Sequence, residues 1–102
     1  MVITFDPRKR DETLADRGLD FLTAAEVFEG GTLDIRDLRR DYGEDRIISV
    51  GFLRGRMVIV VWTPRGEARH VISMRKADGR EQARYADRFG ADRRPRRLGP
   101  GI

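Results

Sequence analysis

The chain has 102 residues, with 21 lysines and arginines against 17 aspartates and glutamates, a net charge of +4 and a pI near 10.3. This length supports one domain with one modest core. There is no cysteine and one histidine, His70, which excludes disulfides, thiolate metal sites and imidazole clusters, so we expect no metal or other cofactor. No apolar run reaches the roughly 20 residues of a membrane helix, and residues 1–11 lack the hydrophobic centre of a signal peptide, so a cytoplasmic location without a membrane partner is expected.

Arginine supplies nearly all of the positive charge, because Lys9 and Lys76 are the only lysines. Arginine is the better residue for bidentate phosphate contacts and for stacking on bases. A basic, arginine-rich surface therefore permits a nucleic-acid partner. Such a surface, balanced by acids, is equally what a GC-rich genome and ordinary solubility produce. Composition leaves both interpretations open.

The first third of the chain predicts one strand and two helices. Val2–Phe5 is short, β-branched and aromatic, which favours a strand. Asp6 is suited to cap a helix over Pro7–Arg17, and Gly18 is suited to end it. A second helix is predicted over Asp20–Glu29, because its apolar residues recur at helical spacing. The recurring residues are Phe21, Ala24, Ala25 and Phe28, and the two phenylalanines are expected in the core.

The middle of the chain changes to strand-like spacing. Short alternating or apolar runs, separated by polar turns such as Arg54-Gly55, predict four consecutive strands. The densest apolar run, Met57–Trp62, is expected at the centre of the sheet. Four strands joined by short turns form an antiparallel meander. The predicted strands are Thr32–Leu38, Arg46–Leu53, Arg56–Thr63 and Glu67–Ser73.

A last helix is predicted over Asp78–Phe89, ended by Gly90. Three arginines at i, i+4 and i+8 form a basic ridge along it: Arg80, Arg84 and Arg88. Residues 91–102 are rich in Arg, Pro and Gly and are expected to form a basic disordered tail behind a single domain of residues 1–90. The predicted fold class is α+β, in the order β-α-α-β-β-β-β-α, with helices packed on a twisted antiparallel sheet.

Three motifs, in order and at matching spacing, resemble the BrnT toxin family over about residues 1–86. The first comprises Asp6-Pro7-Arg8-Lys9, Gly18-Leu19-Asp20-Phe21 and Ala24-Ala25-Glu26-Val27-Phe28. The second is Gly43-Glu44-Asp45-Arg46, followed by Gly51. The third is Ile72-Ser73-Met74-Arg75-Lys76-Ala77, with Glu81 and Tyr85 behind it.

The resemblance implies a growth-inhibiting endoribonuclease toxin that needs no metal and has a RelE-like fold. Its implied partners are RNA and a cognate BrnA-like antitoxin, which would cover the active face in a hetero-oligomer. Cleaving RNA without a metal requires a base for the 2′-hydroxyl, cations that stabilise the phosphorane, and an acid for the departing 5′ oxygen. Arginine, lysine, histidine and tyrosine side chains can supply these groups.

The resemblance also assigns roles to particular residues. Arg75 would bind phosphate and stabilise the transition state, the alternative being a solvated arginine or one in a salt bridge with a nearby acid. Tyr85 would stack on a base or bind the phosphate, or else packs against the sheet. Lys9 matches the family's lysine, and Glu81 would orient Arg75 or pair with Arg84. The residues predicted to contact RNA are Arg80, Arg84, Lys76 and Glu81.

The chain departs from the family pattern at three positions. Arg17 stands where the family has histidine, Thr13 where it has asparagine, and His70 where it has arginine. Arg17 and His70 have therefore exchanged catalytic roles, or the catalytic set is degenerate and His70 is only a half-buried strand residue. Since His70 and Arg75 are five residues apart, they lie on opposite faces of a regular strand. They converge only if that strand ends or bulges near Ser73.

The sequence leaves three candidate functions. The first is a ribonuclease toxin of a type II toxin–antitoxin system. The second is a non-catalytic protein on the same scaffold that binds antitoxin or RNA, and growth arrest on expression separates it from the first. The third, a DNA-binding regulator, has less support because neither a helix-turn-helix nor a ribbon-helix-helix signature is present.

Overall fold

The computed structural model describes the backbone of residues 1–98 and the side chains of residues 1–89. The described part is a mixed α+β fold with a five-stranded sheet and three α-helices. None of its helices is long and apolar enough to span a bilayer. In chain order the elements are β1 (Val2–Phe5), α1 (Pro7–Arg17), a 3₁₀ turn (Phe21–Thr23), α2 (Ala24–Glu29), β2 (Leu33–Arg36), β3 (Ile47–Leu53), β4 (Arg56–Arg65), β5 (Ala68–Lys76) and α3 (Gly79–Leu98).

Helix α1 has the bounds predicted for it, because its end signals are local. The Asp6 carboxylate accepts a hydrogen bond from the Arg8 amide at 2.9 Å, and Gly18 adopts the left-handed conformation at φ +69°. The second predicted helix is split. Asp20 caps a 3₁₀ turn, in which the Thr23 amide donates to the Asp20 carbonyl at 2.9 Å, and the α-helix begins only at Ala24.

The predicted meander of β2 to β5 is confirmed, and the strand order in the sheet is β1-β5-β4-β3-β2. Arg54 and Gly55 both have positive φ, +51° and +84°, as a two-residue type I′ hairpin requires. The prediction of a wholly antiparallel sheet is wrong, since β1 pairs in parallel with β5, from Val2 opposite Ala68 to Phe5 opposite Val71. No short-range pattern encodes this pairing, because it joins segments more than 60 residues apart.

The sheet has a different apolar core on each face. The first core lies on the α2 face and comprises Leu19, Phe21, Ala24, Val27, Phe28, Val58, Val60, Trp62, Val71 and Met74. The second core comprises Val50, Met57, Ile59 and Ala77, against which Tyr85 and Phe89 of α3 pack. Alternate residues of each strand serve the two cores, so a residue's position in the strand decides which helix it faces.

The C-terminal helix is longer than predicted. We placed its end at Gly90, but α3 runs through Leu98. A glycine inside a helix costs only about 1 kcal/mol relative to alanine, so Gly90 does not by itself end the helix, and that prediction is wrong. The side chains of residues 90–102 lie outside the described residues, so the division into a domain of residues 1–90 and a basic tail of residues 91–102 stays a prediction.

Candidate functional site

Arg75 and Glu81 form a bidentate ion pair where β5 leads into α3. The two terminal nitrogens of Arg75 each donate to one carboxylate oxygen of Glu81 at 2.7 Å. Glu81 also accepts from the Asp78 amide at 3.0 Å, while its own amide donates to the Asp78 carboxylate at 2.9 Å. This reciprocal pair is a capping box, which ties the first turn of α3 to the position of Arg75.

The ion pair remains charged through the neutral pH range. The hydrogen bonds from Arg75 lower the pKa of Glu81 to about 2, against the opposing effect of burial. Glu81 in turn raises the pKa of the Arg75 guanidinium. Arg75 is therefore a permanent cation, suited to bind phosphate and unable to serve as a base. The interaction predicted between Glu81 and Arg75 is present.

Tyr85 and Arg84 lie one turn further along α3. The Tyr85 ring packs against the second core, and it is close enough to Arg75 to influence the pKa of that guanidinium. The charge of Arg84 contributes to the low pKa of Glu81. We call Arg75, Glu81, Arg84 and Tyr85 the arginine cluster. It gathers four of the predicted site residues within two turns of one helix and the end of one strand.

Strand β5 contains the bulge on which the convergence of His70 and Arg75 depends. Val61 pairs with Ser73, but the next residue, Trp62, pairs with Val71, so Ile72 has no partner on β4. Val71 and Met74 both belong to the first core although they are three residues apart, a spacing that puts residues of a regular strand on opposite faces. One extra residue between them explains why they share a face. The bulge therefore exchanges the faces of all residues beyond Ile72.

As a result, His70 and Arg75 lie on the same face of the sheet. His70 pairs with Thr63, the neighbour of the first-core residue Trp62, and Arg75 pairs with Ile59 of the second core. Both thus face the side on which α3 packs. Thr63 and Ile59 are four residues apart in β4, which separates the two positions by about 13 Å at ~3.3 Å per residue.

His70 is half-buried and is held by the edge strand. Its Nδ1 lies 2.9 Å from the Thr4 hydroxyl oxygen. Burial, followed by the charge of Arg65, lowers the pKa of His70, and Lys9 adds to this effect while Glu44 and Asp6 oppose it. The imidazole is therefore neutral at pH 7, as a general base must be.

Helix α1 packs beside β5 and has one end near His70 and the other near Arg75. The charge of Lys9, in its first turns, reaches His70, and Arg17, at its last position, donates to the Met74 carbonyl at 3.1 Å. Met74 lies beyond the segment of β5 that pairs with β1, so Arg17 anchors the helix to a free strand edge beside Arg75. Eight residues of helix span about 12 Å, close to the separation of His70 and Arg75.

The two other predicted RNA-binding residues, Lys76 and Arg80, are not bonded to the arginine cluster. Lys76 pairs with Val58 of the first core, so its side chain leaves the sheet on the face opposite to Arg75. Arg80 is exposed on the first turn of α3. Neither side chain makes a hydrogen bond or ion pair with the residues whose side chains are described. Within residues 1–89, no group of three or more potential metal ligands is present.

Sequence reasoning missed the connection between β2 and β3, which it treated only as a polar turn. Asp37 is buried there and binds Arg39 and Tyr42 through its carboxylate. One signal was available: Asp37 continues the apolar face formed by Leu33 and Ile35, where a charged residue needs buried partners.

The comparison with protein families gives one match. Residues 5–81 match the family described as the ribonuclease toxin BrnT of type II toxin–antitoxin systems. No curated protein matches the chain. The matched segment extends from the end of β1 to Glu81 and so contains four of the five predicted catalytic residues, Lys9, Arg17, His70 and Arg75.

Proposed function

This chain belongs to the BrnT family of type II toxin–antitoxin ribonuclease toxins, and we propose that it is an active, metal-independent endoribonuclease with a RelE-like fold. Its substrate is RNA in the cytoplasm, and a BrnA-like antitoxin covers its active face in a hetero-oligomer. The observation that carries the proposal is the β5 bulge, which brings Arg75 and its Glu81 partner onto the same sheet face as His70.

Arg75 is proposed to bind the scissile phosphate. Two of its five N–H donors are occupied by Glu81, which fixes the plane of the guanidinium and leaves the others for phosphate oxygens. A preoriented cation stabilises the charge that develops in the phosphorane without reorganising during the reaction. Tyr85 and Arg84 extend the cationic and aromatic surface that contacts RNA, and Arg80 adds charge beside it, whereas Lys76 lies on the opposite face of the sheet.

Proton transfer is proposed to involve His70, with Lys9 and Arg17 as neighbouring cations. The neutral imidazole supplies a base for the 2′-hydroxyl, provided that the scissile phosphate lies between His70 and Arg75. Their separation of about 13 Å along the strand favours the second candidate, a non-catalytic protein that binds RNA or antitoxin. Arg17 also favours it, since it replaces the family's histidine and is bound to the Met74 carbonyl.

The decisive measurement is cleavage of single-stranded RNA by the purified protein in excess EDTA. Arg75→Ala is expected to reduce cleavage at least 100-fold, as loss of a transition-state donor does. Because the variant also loses the ion pair with Glu81, urea denaturation measures its free energy of unfolding, and cleavage is compared where both proteins are fully folded. Lys76→Ala removes the same charge from the opposite face and is expected to have a much smaller effect.

Cleavage by Arg75→Ala at the parental rate would remove Arg75 from the site. Absence of cleavage and of growth arrest in the parent, with antitoxin binding retained, would establish the non-catalytic alternative. Cleavage abolished by EDTA and restored by a divalent cation would overturn metal independence. Co-expression with the product of the neighbouring reading frame, followed by co-purification, tests the antitoxin partner.

A further inference from the structure

The connection between β2 and β3, residues 37–46, is a loop ordered by side-chain hydrogen bonds, and the catalytic proposal does not involve it. Its anchor is the Asp37 carboxylate, which accepts from the Arg39 Nε and Nη2 at 2.8 Å each, the Arg39 amide at 3.1 Å and the Tyr42 hydroxyl at 2.9 Å. The Asp37 side chain is completely buried. The Tyr42 ring is thereby held in one place at the surface of this loop.

Two arginines lie over the fixed Tyr42 ring. The Arg46 guanidinium carbon is 3.7 Å from the ring centroid, a tight stacking distance, and that of Arg40 is 5.8 Å away. Neither forms an ion pair with a described residue, whereas the other arginines of this region do: Arg36 with Asp45, Arg39 with Asp37 and Arg65 with Glu44. The Nε of Arg46 is buried and has no hydrogen-bond partner among the described residues.

The loop lines an open pocket of about 370 Å³, within the range of small-ligand sites. Guanidinium and carboxylate groups both line it, including those of Arg40, Arg46, Asp41 and Glu44. A phosphate would contact the two arginines but would leave the face of the Tyr42 ring without a partner. A nucleobase suits this lining, because its edge carries hydrogen-bond donors and acceptors and its face stacks on tyrosine and arginine.

Thr63 links the loop to the strand that pairs with His70. The Thr63 hydroxyl donates to the Asp45 carbonyl in the loop, and Thr63 pairs directly with His70. We propose that the β2–β3 loop is a base-binding subsite, in which one nucleobase of the RNA substrate stacks against Tyr42 and the exposed Arg40 guanidinium turns from the ring to hydrogen-bond with that base. This inference rests on the proposed function, since it concerns recognition of the same RNA beside the cleaved phosphate.

The test is the affinity for a short single-stranded RNA in which every 2′-hydroxyl is methylated, so that binding is measured without cleavage. Tyr42→Leu removes the stacking surface and is expected to weaken binding roughly tenfold or more, as loss of base–aromatic stacking does. Tyr42→Phe is the matched comparison, because it keeps the stacking ring and loses only the hydroxyl bond to Asp37, so it should lose clearly less affinity than Tyr42→Leu. Arg40→Gln leaves the Asp37 anchor intact, so it provides the test if Tyr42→Leu fails to fold, and it should weaken binding several-fold.

Abasic RNA identifies the contact. A series of RNAs is used, each lacking one base at a different position. At one position, loss of the base should weaken binding to the parent but should not weaken binding to Tyr42→Leu any further, because that variant already lacks the stacking contact. Unchanged RNA affinity in both Tyr42→Leu and Arg40→Gln would overturn the subsite. Loss of antitoxin affinity in these variants, with RNA affinity retained, would make the loop a protein interface instead. Base-dependent binding without any cleavage of unmodified RNA would overturn the ribonuclease proposal and leave the subsite standing.

Discussion

At the residue scale, the candidate site combines one cation of fixed charge with one group that titrates near neutrality. Arg75 is locked by Glu81, and a guanidinium does not lose its proton in a protein. His70 has a lowered pKa because it is half-buried and close to Arg65 and Lys9. Any ionisation of the free protein that controls cleavage between pH 5 and 7 is therefore assigned to His70.

The prediction for His70 concerns the pH profile of cleavage. As a base, His70 is active when neutral, so kcat/KM should rise with pH through a pKa below the ordinary value of about 6.5. His70→Gln should lower cleavage roughly 100-fold and remove that ionisation. The lowered pKa of His70 also affects folding. Because the unfolded chain binds the proton more readily than the folded chain, the free energy of unfolding of the parent should fall as pH drops below about 6.5, and His70→Gln should lack this fall.

Thr4→Val is the companion variant, because it keeps the imidazole and removes its hydrogen-bond partner. It should retain the ionisation with an altered pKa. If His70→Gln instead cleaves RNA with the parental pH profile, His70 has no part in proton transfer. The site would then depend on Lys9, Arg17, Arg75 and Tyr85 alone.

At the element scale, the contact between α2 and β3 depends on one missing side chain. A Cβ atom on Gly51 would lie 2.7 Å from the Val27 Cγ1 and 2.9 Å from the Thr32 Cγ2, both closer than carbon atoms can approach. Glycine at this position allows α2 to pack directly on the backbone of β3. The position of α2 in turn fixes the first core beneath β5.

Gly51→Ala is accordingly expected to lower the free energy of unfolding by about 1–3 kcal/mol, the usual cost of overpacking. Urea denaturation measures this change. Gly79→Ala is the control, since a Cβ atom there has no neighbour within 4 Å and its effect should be near zero. Adding Val27→Ala to Gly51→Ala should relieve part of the clash, so the double variant should lose less stability than the two single variants lose together. A loss equal to or greater than that sum would contradict the packing explanation.

At the scale of the whole molecule, the two faces of the sheet differ in what they carry. One face holds the larger apolar core under α2, and the other carries the second core, the arginine cluster and His70. Several arginine–carboxylate ion pairs lie outside the two cores. In three of them the pKa of the acid is lowered chiefly by its arginine: Asp20 with Arg10, Asp37 with Arg39 and Glu81 with Arg75.

These carboxylates predict a loss of stability in acid. Each has a lower pKa in the folded chain than in the unfolded chain, where values near 4 are ordinary, so each stabilises the fold above about pH 4. That contribution disappears as pH falls toward the folded values, about 2 for Glu81. Urea unfolding between pH 7 and pH 2 should show stability falling steeply below about pH 4.5. Glu81→Gln should show a shallower fall, and equal slopes would contradict the contribution of this pair.

The sequence by itself determined the features that short-range physics controls. The ends of α1, the type I′ turn at Arg54-Gly55 and the β2–β5 meander follow from residues adjacent in the chain, and the motifs around Arg75 indicated the family. Only the tertiary structure decided the parallel pairing of β1, the bulge at Ile72 and the loop anchored by Asp37. The bulge arises from the register between β4 and β5, and it determines whether His70 and Arg75 share a face. Such features depend on free-energy differences between long-range packings, and the residues on either side of a position do not encode them.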